Sequence, residues 1–302
     1  MLANSKLFCM AALSLCLSLP VLAQYDVPSF KADSARYSDL SFANEPKELG
    51  VFSSLGNALF KPAGMKDGVR YPGLVLLHTC GGIKPRHARY WIEAGVQEGY
   101  VVLVVDGMRG NQSNCFPPTP VSVGRRIKDA FDALDHLAGL PFVDPDRILV
   151  AGHSQGGFTA SQVSSREVTE AFVAKGKPRF AAAVSFYGTC RWPKGRLPRV
   201  DFDVPIVRQD IDRPHLMLMG ALDNETPAEW CDAVLPGLKA AGVPIDSHVY
   251  PDASHCLDCI ELDGFSKTDF KGDRVSYRYS AQLTEDSRRR MFEFFKRLPL
   301  LQ

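Results

Sequence analysis

The segment that most constrains this chain is Ala151-Gly152-His153-Ser154-Gln155-Gly156-Gly157, read together with its flanks. Arg147-Ile148-Leu149-Val150 leads in as a strand-like apolar run, and Phe158-Thr159-Ala160-Ser161-Gln162-Val163 follows with helical character. A strand that turns at once into a helix holds its central residue on a cramped backbone, pointing out of the sheet. Gly152 and Gly156 lack the Cβ atoms that would clash in such a turn. The new helix also aims its free N–H groups and positive dipole end at Ser154, where an oxyanion would form. Gly-x-Ser-x-Gly occurs in many unrelated chains, and the bland reading is a Gly-rich turn. The strand and helix context makes it read as a nucleophile elbow.

Further apolar runs extend the pattern. Tyr71–His78 and Tyr100–Asp106 have the length of buried strands, the second rich in β-branched residues, and Phe180–Tyr187, His215–Met219 and Ser247–Tyr250 continue the series. Arg89–Val96 reads as helix. Ile127, Ala130, Phe131, Leu134 and Leu137 form one apolar helix face ahead of Pro141, and Ala281–Arg297 is an amphipathic closing helix. Strands buried on both faces and alternating with helices predict an α/β chain, a mostly parallel central sheet with helices on both faces. In such sheets, chemistry gathers beyond the carboxyl ends of the strands.

Three residues stand there. Ser154 follows the third run, Asp223 the fifth and His255 the sixth, with Pro251 turning the chain out of the strand. A serine hydroxyl needs a base within hydrogen-bond reach, and neutral imidazole suits. A buried carboxylate on the other ring nitrogen fixes the tautomer. Singly, Asp223 would be a turn former and His255 a satisfied core or surface residue. The order Ser, Asp, His at strand ends makes them a candidate triad. His153 should face away from the hydroxyl, and His78 reads as structural. For the oxyanion, the candidate donors are the backbone N–H groups of Gln155 and Cys80, the latter in His78-Thr79-Cys80-Gly81-Gly82.

The chain start reads differently. Met1–Lys6 carries one positive side chain, Leu7–Val21 is almost wholly apolar, and Val21-Leu22-Ala23 offers small residues for cleavage. Residues 1–23 are therefore expected to be a signal peptide, too short for a comfortable membrane span. The remainder, 24–302, is expected to be a single domain whose residues 24–50 form a polar, irregular N-terminal arm. Loss of Lys6 takes the 35 basic residues to 34, against 34 acidic. That balance argues against nucleic acid or an anionic membrane surface as partner. Six of the eight cysteines remain: Cys80, Cys115, Cys190, Cys231, Cys256 and Cys259. An exporting chain suggests disulfides, with fifteen pairings open. His255-Cys256-x-x-Cys259 lacks the second cysteine pair that a tetrahedral zinc site would use, so no metal is expected.

Taken together, His78–Gly82, Asp106-Gly107-Met108-Arg109-Gly110, Gly152–Gly157, Gly220-Ala221-Leu222-Asp223 with Pro227, and Tyr250–His255 resemble the dienelactone hydrolase family of α/β-hydrolases, from about Tyr71 to Leu298. The resemblance implies an α/β-hydrolase fold, with Ser154 as nucleophile, His255 as base and then acid, and Asp223 as its orienting partner. Type members carry cysteine at the elbow. Ser154 here, and the lack of identifiable carboxylate-binding arginines, shift the expectation from dienelactone toward a general carboxylic ester or lactone. The implied strand order suggests the bridges Cys80–Cys115, Cys190–Cys231 and Cys256–Cys259. The expected function is a secreted or periplasmic serine hydrolase of small esters or lactones, without a cofactor and without a membrane anchor once the signal is removed. Peptidase or acyltransferase chemistry on the same triad, or a non-catalytic binding protein keeping the fold, are the alternatives. Arg191–Pro214, which could overhang the site as a small cap, and Leu262–Tyr279 are the candidate specificity segments, with plain surface loop as the alternative for both.

Overall fold

The computed structural model describes residues 26–298 except 112, 117–118, 197–201 and 270–271. The expected signal peptide, 1–23, lies outside the described residues. The strands are β1 (Leu59–Phe60), β2 (Tyr71–Leu77), β3 (Val101–Val105), β4 (Val143–His153), β5 (Ala182–Phe186), β6 (Arg191–Trp192), β7 (Val204–Pro205), β8 (His215–Gly220), β9 (Ile245–Tyr250), β10 (Ser266–Thr268) and β11 (Arg274–Ser276). The helices are α1 (Val27–Ser34), α2 (Pro85–Gln97), α3 (Val123–Ala138), α4 (Gln155–Val163), α5 (Arg166–Phe172), α6 (Glu229–Asp232), α7 (Leu235–Ala240) and α8 (Ala281–Lys296).

The main sheet runs β1-β3-β2-β4-β5-β8-β9. Its strands are parallel except for β1, which pairs antiparallel with β3 at the edge. The six apolar runs of the sequence are its six parallel strands. Their side chains alternate between two cores, as a period of two requires. Leu74, Leu76, Val102, Val104 and Leu149 pack with Trp91 and Ile92 of α2 and Phe292 and Phe295 of α8. Val75, Leu77, Leu103, Ile148 and Val150 pack on the opposite face with Phe30 of α1, Ile127 and Leu134 of α3 and Ala160 of α4. Because both faces are covered, almost no polar residue is tolerated in the central strands, which is why they read as continuous apolar runs. This is the α/β-hydrolase fold.

Two features depart from expectation. The N-terminal arm is not wholly irregular: Val27–Ser34 is helical, started by Asp26, whose carboxylate accepts the Ser29 N–H at 2.8 Å, and by Pro28 in the first turn. Edge strand β1 has only two residues, too few for a periodic signal. Among the described residues, no helix is long and apolar enough to cross a membrane.

Candidate active site

Strand β4 ends at His153 and helix α4 begins at Gln155, so Ser154 alone makes the turn. Its backbone is left-handed, φ 53° and ψ −114°, a conformation that costs a non-glycine residue about 1–3 kcal/mol. The surroundings hold it there. Ser154 N–H donates to the Phe186 carbonyl at 2.9 Å, and its own carbonyl accepts from Phe158 N–H at 3.0 Å. A Cβ on Gly152 would lie 2.0 Å from the Gly156 carbonyl oxygen, and one on Gly156 would lie 2.3 Å from that of Leu77. Backbone on backbone leaves no room for a side chain at either glycine.

The loops after β8 and β9 bring the other two residues to this serine. His255 Nε2 lies 3.0 Å from Ser154 Oγ, and Nδ1 lies 2.7 Å from Asp223 Oδ2. With Nδ1–H given to the carboxylate, Nε2 is left as the acceptor that faces the serine hydroxyl. Asp223 is itself clamped: Oδ1 accepts the N–H groups of Glu225 and Thr226, each at 2.9 Å, and Oδ2 accepts the Thr226 hydroxyl at 2.8 Å. Burial alone would push the Asp223 carboxyl up, but the His255 charge and these hydrogen bonds hold it below the usual carboxylate range. Burial lowers the His255 imidazole, while the charges of Asp223 and Glu225 more than offset that, so its pKa is raised. Tyr187 and Tyr277 pack edge-on against the ring, with centroids at 5.0 and 6.0 Å.

On the opposite side of the serine lies the loop after β2. Gly81 N–H donates to Thr79 Oγ1 at 3.1 Å and Gly82 N–H to the Thr79 carbonyl at 3.3 Å. Cys80 N–H has no acceptor among the described residues, and Gln155 N–H, first in α4, has no intrahelical one. Arg126 of α3 reaches behind both, donating to the His78 carbonyl at 2.7 Å and to Gln155 Oε1 at 3.2 Å. Asn114 adds a side-chain bond to Gln155 Oε1 at 3.1 Å and a backbone bond to the Cys80 carbonyl at 2.7 Å. His78 is buried, with Nδ1–H on the Thr79 carbonyl and Nε2 accepting Gly107 N–H, which supports its structural reading.

A cavity of about 300 Å³ opens over Ser154 and His255. Among the described residues its walls come from the Thr79–Gly81 loop, from Ser113, Cys115 and Phe116 after β3, and from Leu262, Phe265, Lys267 and Tyr277. The second candidate specificity segment therefore lines it. No described residue of Arg191–Pro214 does: there β6 and β7 form a small ribbon in which Trp192 packs on Phe158 and Trp230. Disulfides join Cys80 to Cys115, Cys190 to Cys231 and Cys256 to Cys259.

The model of the Dienelactone hydrolase family matches residues 59–298, which span every element described above except α1. The chain belongs to the dienelactone hydrolase family. A "Putative carboxymethylenebutenolidase" of Escherichia coli O157:H7 is 27% identical over 237 residues, covering 74% of this chain and 76% of that one. Among solved structures, the butyrate-bound form of Thermogutta terrifontis esterase 2 superposes with a TM-score of 0.57 at 18% identity, covering 84% of this chain and 94% of that one. The paraoxon-phosphorylated form of the same esterase gives 0.56 at 19%, covering 79% and 86%. At such identities the structural likeness speaks for the fold. Membership of the dienelactone hydrolase family makes this an esterase-type hydrolase with a small-molecule substrate.

Within this dienelactone hydrolase chain, four polar residues around the triad escaped the sequence reading. Arg126 and Asn114 brace the oxyanion side. Asp258, fully buried, accepts from His87 Nε2, Trp91 Nε1 and Tyr187 Oη at 3.1, 2.9 and 2.8 Å, tying the His255 loop to α2 and to the ring beside the imidazole. With His87 and His153 it forms a compact group of potential metal ligands, but its two oxygens already serve these three donors. Glu225 is the fourth. Its place two residues after Asp223 was the only available signal.

Proposed function

We propose that this chain is a secreted or periplasmic serine hydrolase that cleaves a carboxylic ester or lactone through an acyl-enzyme on Ser154. The observation that carries the reading is the continuous contact from Asp223 through His255 to Ser154, at 2.7 and 3.0 Å. Ser154 attacks the carbonyl as His255 takes its proton. The tetrahedral oxyanion rests on the N–H groups of Gln155 and Cys80, and His255 protonates the departing alcohol. Water activated by the same imidazole then releases the acid. The cavity volume favours a short acyl chain or a small lactone over a long-chain lipid ester. The butyrate-bound relative supports the same size class. The apolar leader and the cysteine content support export.

The test is labelling with a fluorophosphonate, followed by intact mass and peptide mapping, on wild type and Ser154→Ala. A single adduct on Ser154, absent from the variant, is expected. Folded wild-type protein that takes no adduct would sink the mechanism.

A further inference from the structure

Asp223 and Glu225 sit two residues apart on one turn, and they flank the same imidazole from its two nitrogens. Asp223 Oδ2 holds Nδ1 at 2.7 Å, while Glu225 Oε2 lies 3.7 Å from Nε2, the nitrogen that faces Ser154. The turn enforces this, since Asp223 Oδ1 accepts the Glu225 N–H at 2.9 Å. The Glu225 side chain is then aimed by two donors: Tyr277 Oη gives to Oε2 at 2.7 Å and Lys267 Nζ to Oε1 at 2.8 Å. It lines the cavity with Ser154 and His255, so it borders the space where a second reactant must enter. These two donors offset the desolvation of a mostly buried carboxylate, whose charge also raises the pKa of the neighbouring imidazole.

Building on the acyl-enzyme reading above, we propose that Glu225 positions the deacylating water and so commits the enzyme to hydrolysis over transfer of the acyl group to alcohols. Water has two protons. One goes to His255 Nε2 as the water oxygen bonds to the acyl carbon; the other is held by Glu225 Oε2 as a hydrogen bond and stays with the oxygen. The C–Oγ bond then breaks as His255 returns its proton to Ser154, and Glu225 remains ionised throughout. An alcohol has one proton, which His255 takes, and its alkyl group is left against a carboxylate with nothing to donate. The device thus favours water by about one hydrogen bond to a charged group, tenfold or more in partitioning.

The experiment follows p-nitrophenyl butyrate turnover at fixed methanol, with methyl butyrate and butyric acid quantified together with the p-nitrophenol burst. In Glu225→Leu the ester-to-acid ratio is expected to rise about tenfold over wild type, with the burst rate less affected than the steady state. Glu225→Gln keeps an acceptor and should fall between. Tyr277→Phe, which leaves the carboxylate but removes the donor that aims Oε2, should also raise the ratio. His255 is faced by the charges of Asp223, Glu225 and Lys267, the phenols of Tyr187 and Tyr277, and the hydroxyls of Ser154 and Thr226. Both Glu225 variants should therefore move the acid limb of kcat/KM to lower pH. A normal burst with a ratio within twofold of wild type in all three variants overturns the inference alone. No burst and no label in the wild type overturns the acyl-enzyme reading and this inference with it.

Discussion

Arg126 and Gln155 meet at 3.2 Å behind the serine, although 29 residues separate them in the chain. The same guanidinium donates to the His78 carbonyl at 2.7 Å, so one side chain fixes both backbone segments that would supply the oxyanion donors. Burial pushes its pKa down to about 10, with Asp129 and Asp106 countering, and it stays charged at neutral pH. Arg126→Met should lower kcat by about 10–100-fold with KM nearly unchanged, because the donors matter most in the transition state. Arg126→Lys, able to keep one bond, should lie between. A kcat within twofold of wild type in the Met variant would show that the two segments hold their places unaided.

The left-handed backbone of Ser154 predicts a trade between stability and activity. Ser154→Gly removes the Cβ from that strained position and should raise stability over Ser154→Ala by about 1 kcal/mol, read as a higher Tm. Both variants should lose nearly all esterase activity, by about 10⁴-fold or more. Equal Tm values for the two would mean that the elbow stores no strain.

What was legible in the sequence is what local pattern encodes. The central strands declare themselves as apolar runs because helices cover both sheet faces. The elbow declares itself because backbone contact at Gly152 and Gly156 admits no other residue. Asp223 and His255 could be singled out because the fold sends the carboxyl end of every parallel strand of the main sheet to one edge. Arg126, Asn114 and Asp258 could not. Asp258 meets its partner His87 across 171 residues, and only the assembled tertiary structure makes that contact. Helix α1 was missed for another reason: Val27 and Phe30 are too few to draw an apolar stripe.

Two carboxylates beside His255 predict the pH profile. Their charges raise its pKa above the ordinary 6.5 despite burial. In the proposed mechanism the neutral imidazole is the working base, so kcat/KM should be flat at alkaline pH and fall as pH drops through that raised value. Asp223→Asn should move the acid limb down and lower kcat about 10⁴-fold, through loss of the charge and of the enforced tautomer. An acid limb below 6.5 in the wild type would contradict the electrostatics derived from this geometry.

The disulfides separate stability from catalysis. Cys80–Cys115 closes a loop of 35 residues and Cys190–Cys231 one of 41, so chain entropy predicts similar stabilisation, about 3–4 kcal/mol each. Their surroundings differ. Cys80 and Cys115 line the cavity over Ser154, and Asn114, next to Cys115, holds the Cys80 carbonyl. Cys190 and Cys231 pack instead with Met217, Ile211 and Leu235, away from the lining residues. The double variant Cys80→Ala/Cys115→Ala should therefore lose stability and also lower kcat severalfold, since the loop carrying the Cys80 N–H is freed. Cys190→Ala/Cys231→Ala should lose comparable stability with kcat nearly unchanged at temperatures where it remains folded. Chemical denaturation paired with ester kinetics on both variants distinguishes them. Equal effects on kcat would mean that the first bridge does nothing for the oxyanion loop beyond holding the chain together.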